Sequence, residues 1–311
     1  MQTIYDAIII GGGPAGLSAA LMLGRCRRRI LVCDSGRYRN AYSHGVHGFF
    51  TRDCTPPSEL LQIGREQLAP YGVEYRGIEV TSACVHEVGF HVTLKDGSEH
   101  LARKLLVATG VRDRVPELEG MEQFYGRSVH HCPYCDGWEW RDQPLAVYGQ
   151  KIHGYALALS LKNWSEDVAL LTDGPAGLNA RQREELKQFD ILVYRAKIAR
   201  LEGTDGKLER VVFANGESLA RSAMFFSTGQ DQHCDVAKNL GCIFSTKGVV
   251  ETTRRQETNV RGLYVVGDAA KDVQFVIVAA AEGAKAAEAI NEALMAEDRA
   301  RRLSQVGVPV G

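Results

Sequence analysis

The chain has 311 residues, and 37 Lys and Arg against 38 Asp and Glu leave a net charge of −1. That balance removes the electrostatic case for nucleic acid or an anionic membrane surface, and no apolar run reaches the length of a bilayer span. Eight cysteines show no framework spacing and the first strand begins within five residues, leaving no room for a secretory leader, so a cytoplasmic location is expected.

Residues 5–10 (Tyr-Asp-Ala-Ile-Ile-Ile) read as a buried parallel strand. They run straight into Gly11-Gly12-Gly13-Pro14-Ala15-Gly16, a G-x-G-x-x-G turn, and then into a helix of small residues. Gly11 makes the tight turn, Gly13 lets the backbone approach a pyrophosphate, and Gly16 lets helix and strand pack closely. Pro14 and Ala15 open the helix whose N-terminus faces the phosphates. The next strand, Ile30 to Cys33, ends on Asp34, placed to accept hydrogen bonds from an adenosine ribose. Strand, glycines, helix, strand and acid in this order predict a bound dinucleotide. Arg25, Arg27, Arg28 and Arg29 read as a solvated helix end favoured by the dipole. A further buried strand ends at Ala108-Thr109-Gly110.

The stretch His131-Cys132-Pro133-Tyr134-Cys135-Asp136-Gly137 follows. A nucleotide site and a close cysteine pair point to electrons passing between a bound cofactor and a disulfide. Two thiols at this spacing close a disulfide with little loop entropy, and an adjacent carboxyl can hold the proton that thiolate chemistry requires. Zinc fails on count, because no second C-x-x-C or H-x-x-H exists and Cys234 and Cys242 stand apart. Cys33 reads as a core hydrophobe, Cys54 as a spare loop thiol, and Trp138-Glu139-Trp140 as packing beneath the redox turn.

A second strand–glycine–helix unit begins at Pro144 to Tyr148, but its turn reads Gly149-Gln150-Lys151-Ile152-His153-Gly154. Lys151 takes the position where backbone must approach a pyrophosphate; it either pairs with phosphates or fills the site. The following strand, Val168 to Leu171, leads to Asp173, which would repel a 2′-phosphate. A hairpin is predicted over Ile191 to Phe213 with its turn at Gly203 to Gly206. Near the end, the strand Gly262 to Val266 stops at Gly267-Asp268, a small-residue helix follows around Ala279 to Ala284, and the tail past Met295 is expected to fray.

With its Gly-x-Gly-x-x-Gly, Ala-Thr-Gly, Cys-x-x-Cys-Asp-Gly and Gly-Asp motifs, the chain resembles the low-molecular-weight thioredoxin reductase family of FAD-dependent disulfide oxidoreductases over nearly all of its length. The resemblance implies an α/β fold of two Rossmann-like domains. These are a discontinuous FAD domain, 1–117 with 246–311, and an inserted pyridine-nucleotide-type domain, 118–245, that carries the cysteine pair. It implies that the first glycine motif holds FAD, that Thr109 and Gly110 close over it, and that Gly267 and Asp268 contact its linker. Gln274, Phe275 and Val276 would reach the isoalloxazine. The segment from Asn40 to Phe50 would be the other flavin-facing loop, with Asn40 and His47 as candidate contacts, a histidine without cofactor role being the alternative. Cys135 would face the flavin, Cys132 attack the substrate, and Asp136 manage the proton. A homodimer and a hinge between the domains, near Glu117–Tyr125 and Cys242–Val249, are implied as well.

One part departs from the family. Its His-Arg-Arg run that grips a 2′-phosphate is missing, which argues against NADPH in the usual mode; NADH fits Asp173 better but still meets Lys151. The expected activity is therefore a flavin-dependent thiol–disulfide exchange with a thioredoxin-like protein or a small dithiol or disulfide, with a protein electron donor as one possible source. An oxygen-dependent dithiol oxidase and a non-catalytic flavin-binding redox sensor are the alternatives.

Overall fold

The computed structural model describes residues 3–271 and 273–305. In chain order the first unit comprises β1 (Ile4–Ile10), α1 (Pro14–Arg25), β2 (Ile30–Cys33), α2 (Pro57–Glu66), β3 (Glu74–Arg76), β4 (Val80–His86), β5 (Gly89–Leu94) and β6 (Glu99–Val107). The chain passes through β7 (Val111–Asp113) into α3 (Met121–Phe124), β8 (Val129–His130), α4 (Pro133–Asp136), β9 (Leu145–Tyr148), α5 (Lys151–Leu161), β10 (Val168–Leu171) and α6 (Ala180–Gln188). Then follow β11 (Leu192–Tyr194), β12 (Ile198–Thr204), β13 (Lys207–Phe213), β14 (Ser218–Ala220) and β15 (Ala223–Phe226). It returns along β16 (Gln230–Gln232) to α7 (Val236–Asn239), β17 (Leu263–Val265) and α8 (Val276–Gln305).

The apolar runs become strands because each is covered on both faces, which is how parallel sheets are buried. In the first sheet β3, β2, β1, β6 and β17 run parallel, and β4 and β5 extend it antiparallel from the first half of β6. The second sheet, in the order β11-β10-β9-β15-β8, is parallel throughout. The fold is thus α/β with two Rossmann-type sheets. The predicted hairpin is narrower than expected: β12 and β13 form it, whereas Leu192 to Tyr194 pairs parallel with β10 in the second sheet.

The two crossings between the sheets run side by side as the antiparallel pair β7–β16. Met121 and Phe124 are buried in the second unit, and Cys242, Val249 and Val250 are buried, Cys242 and Val250 in the core of the first sheet. Val236 and Ala237, counted from sequence with the inserted domain, also pack on that first core.

Helix α8 crosses α1 at close range, since a Cβ on Gly283 would lie 2.0 Å from the carbonyl oxygen of Ala15. Ala19, Ala20, Leu23, Ala286, Ala287, Ile290 and Leu294 fill this seam and are almost wholly buried; each large aliphatic side chain there is worth roughly 1.5–3 kcal/mol. The expected fraying after Met295 does not occur as far as Gln305. Arg103 holds Asp6, Glu297 and Asp298 at 2.8–2.9 Å, and Arg28 holds Asp298 at 2.7 Å, so ion pairs anchor the last turns of α8 to β1 and β6. The rest of the tail, 306–311, lies outside the described residues. Among the described residues no helix is long and apolar enough to cross a membrane.

Because Gly283 touches the backbone of the glycine turn's own helix, Gly283→Ala must push α8 away from α1. We expect a loss of about 1–3 kcal/mol in urea unfolding, accompanied by a lower flavin content on purification.

Candidate active site

The lateral order β2-β1-β6-β17 sets the carboxyl ends of these strands side by side, where open α/β sheets bind their ligands. Asp34, Gly11, Thr109 and Gly267-Asp268 leave those ends and line one cleft. Gly13, Pro14, Ala15, Asn40, His47, Gly110, Gln274, Phe275 and Val276 line it too, and so do Cys135 and Asp136 from the second unit. Gly16 lies beneath the cleft and Cys132 outside its lining. The sequence-predicted residues, spread over 266 positions from Gly11 to Val276, therefore converge on one place.

The walls fit FAD. A Cβ on Gly11 would meet the Ala108 carbonyl oxygen at 2.5 Å, and one on Gly16 would meet the Gly11 carbonyl oxygen at 1.9 Å, so both glycines exist for backbone contact. A Cβ on Gly13 would meet nothing within 4 Å, because that position faces open cleft in front of the α1 N-terminus. No side chain caps α1, so its first amides are free for a pyrophosphate. The Thr109 hydroxyl is buried without a partner, an orphan that a polar ligand would satisfy. Asp34 is 3 % exposed and accepts from the Tyr38 and Tyr75 hydroxyls on one oxygen and from the Gly36 amide at 3.2 Å on the other. A carboxylate has room for about four such bonds, which leaves capacity for a ribose hydroxyl.

Sequence reasoning missed Arg39. Its guanidinium donates to Asp113 at 2.8 and 2.5 Å, to Asp268 at 2.9 Å and to Gln274 at 2.6 Å. Asp113 is also reached by the Tyr125 hydroxyl at 3.2 Å and lies 3.5 Å from Nδ1 of His131. Burial works to raise the Asp113 carboxyl, but Arg39 and His131 outweigh it and hold it below the usual range. Burial keeps Asp268 above its ordinary value despite Arg39. The partners of Arg39 lie 74 to 235 positions away, so no local pattern announces it.

The redox turn leaves the end of β8, an edge strand of the second sheet. Cys132 caps the short α4 and is disulfide-bonded to Cys135, whose amide lies 3.1 Å from the Cys132 sulfur. Burial, and after it the Glu139 charge, pushes the Asp136 carboxyl up to about 7. Its Oδ1 lies 3.3 Å from Nδ1 of His130, and Nε2 of that imidazole accepts from the Trp140 indole at 2.9 Å. Trp140 thus packs under the turn as expected, while Trp138 is 65 % exposed. Cys54 is exposed with its sulfur 3.6 Å from Nδ1 of His47, and among the described residues these two and Asp53 form a small group of metal-ligand type.

The second glycine turn is closed by the chain itself. Lys151 sits in the left-handed region (φ 52°), its amide donates to the Ala176 carbonyl at 2.9 Å, and its side-chain stem crosses Gly177. The Gln150 amide group donates to the Thr172 carbonyl at 2.7 Å. The first amide of α5 is therefore already occupied, while no side chain caps the amides that follow it. Asp173, expected to repel a 2′-phosphate, accepts from the Ile198 amide at 2.7 Å on one of its oxygens.

Residues 5–283 match the model of the pyridine nucleotide-disulphide oxidoreductase family, and the chain belongs to that family. Within it the relatives are thioredoxin reductases. One, tcpT of Claviceps purpurea, is 30 % identical over 86 % of this chain and 87 % of its own. The thioredoxin reductase of Aquifex aeolicus is 28 % identical over 94 % of each chain. The crystal structure of HlmI is 34 % identical and superposes with a TM-score of 0.93 over 99 % of both chains. This protein is accordingly a thioredoxin reductase-like flavoenzyme; the family uses FAD, with NADPH as its second cofactor.

The open space at Gly13 yields a clean separation. Gly13→Ala is expected to leave the unfolding midpoint of the FAD-free protein within about 0.5 kcal/mol of wild type, yet to weaken FAD binding at least about tenfold in a fluorescence titration. For Asp136, the folded carboxyl holds its proton up to about 7 while the unfolded one releases it near 3.8. The folded state binds more protons across that window, so its stability falls as pH rises from 4 to 7. Urea midpoints of the oxidised protein are expected to show this slope, and Asp136→Asn to flatten it.

Proposed function

We propose that this protein exchanges electrons between FAD and a dithiol or disulfide substrate through Cys132 and Cys135, and does not draw them from NADPH in the family's usual mode. The observation that carries the donor part is the second turn, where the Lys151 amide is bonded to the Ala176 carbonyl and the Lys151 side-chain stem crosses Gly177. The direction this favours is dithiol oxidation. FAD bound in the cleft supplies two-electron redox chemistry.

The chain's own residues do the rest. Cys132, outside the cleft, is the sulfur an external thiolate attacks; the Cys132–Cys135 bond breaks and Cys135 leaves as a thiolate. Asp136, next in the same helix and protonated near neutral pH, supplies the proton for that sulfur. The second thiol of the substrate then attacks the mixed disulfide, releasing a substrate disulfide and the Cys132 thiol. Two electrons and two protons have passed from substrate to the pair; when the Cys132–Cys135 bond re-forms, both electrons and both protons go on to dioxygen, giving hydrogen peroxide. Thioredoxin-like proteins are the substrates that the relatives' names suggest, and a small dithiol is the other class that fits.

The test is anaerobic reduction of the FAD-loaded protein followed by flavin absorbance. Dithiothreitol is expected to bleach the flavin at least about tenfold faster than equimolar NADPH or NADH. Equal or faster bleaching by either nucleotide would overturn the donor assignment. Cys132→Ser and Cys135→Ser are expected to retain FAD and lose the dithiol reaction; bleaching that survives in both would overturn the cysteine assignment.

A further inference from the structure

The Asp136 side chain is 16 % exposed and shares its pocket with a histidine, a combination that normally ends in an ion pair. Here it does not. The Trp140 indole can only donate, so Nε2 of His130, 2.9 Å away, must present its lone pair. The imidazole proton therefore sits on Nδ1, the nitrogen 3.3 Å from Asp136 Oδ1. To become imidazolium, His130 would have to add a proton on Nε2 and give up the indole bond inside a site where the ring is 5 % exposed.

We propose that Trp140 is a positioning residue for the redox turn: it holds His130 as the neutral Nδ1–H tautomer and so denies Asp136 a cationic partner. The consequence is a carboxyl that keeps its proton at neutral pH beside Cys135, available to the sulfur released when the disulfide opens. This inference rests on the exchange role of Asp136 given above.

The surroundings agree. The other charge facing Asp136 is Glu139 on the following turn, which favours the protonated carboxyl. His131 beside it and His44 and His47 of the 40–50 loop each disfavour a positive charge on His130, whereas its hydrogen bond with the Arg127 backbone favours one. Burial adds to the histidines, so the ring stays neutral down to about 3.

The test reads the carboxyl itself. The oxidised, FAD-loaded protein is labelled with 13C at the aspartate carboxyls, the Asp136 signal is assigned by its loss in Asp136→Asn, and its midpoint is followed against pH. Wild type is expected to titrate near neutrality. Trp140→Phe frees Nε2, lets His130 take a second proton, and is expected to lower the midpoint by one pH unit or more, a tenfold change in proton affinity. Trp140→Phe combined with His130→Asn removes the group that could become cationic and is expected to restore the wild-type midpoint. An unchanged midpoint in Trp140→Phe, or a shift that persists in the double variant, would overturn the proposal. A structural role for Trp140 would move both variants alike. No turnover is measured, so failure here is distinct from failure of the dithiol reaction.

Discussion

Everything at this site depends on the parallel pairing of β1 with β6 and of β6 with β17. Parallel register brings strand ends of the same polarity together, so segments from residues 11, 109 and 267 open into a common cleft although the chain between them wanders through a second sheet. The spacing there is too tight for side chains: the Gly11 and Gly16 positions are pressed against backbone carbonyls. That closeness lets α1 point its unpaired amides into the cleft, and α8, lying on α1 through Gly283, holds it there. The ion pairs of Arg103 and Arg28 act from the far end of α8, where burial makes their loss costly even though such pairs add little net stability.

Two glycine turns of related pattern have opposite fates. In the first, Gly13 leaves an empty volume before a free helix N-terminus. In the second, Lys151 and Gln150 are stitched to the loop at Thr172 and Ala176, and the first amide of the helix is spent within the protein. The substitution of one glycine does not achieve this alone; it needs the 172–177 loop to lie over the turn. A family member with an intact flavin cleft and a self-closed second turn is suited to chemistry that enters through its cysteines.

Charge is handled in two ways around the cleft. Arg39 gathers Asp113, Asp268 and Gln274 into a buried network that joins the connecting strand β7 to the 268–274 segment and, through His131, to the redox turn. Beside it, His130 and Asp136 stay neutral together. Networked charge suits a connection that must keep its geometry, whereas a neutral pair suits a group whose proton is to be passed on.

Much of this was legible from residues alone. Apolar runs ending in glycine predict the parallel strands and their ligand-binding ends, because the strand period and the turn requirement are local. The spacing of Cys132 and Cys135 predicts their disulfide for the same reason. Lys151 announces a departure at the second turn, but whether it pairs with a phosphate or fills the site depends on what lies above it, and only the fold puts Ala176 there. Asp173 reads in sequence only as a negative charge, since its partner is an amide in a different sheet. Arg39, whose partners are far along the chain, leaves no local trace. The helical stretch beyond Met295 reads as a loose tail until β6 supplies Arg103. Local sequence determined the strands, the glycine turns and the redox pair, because their physics acts over a few residues. The closed second turn, the Arg39 network and the protonation of Asp136 were decided by tertiary structure, because burial and charge pairing depend on which distant groups the sheets bring together.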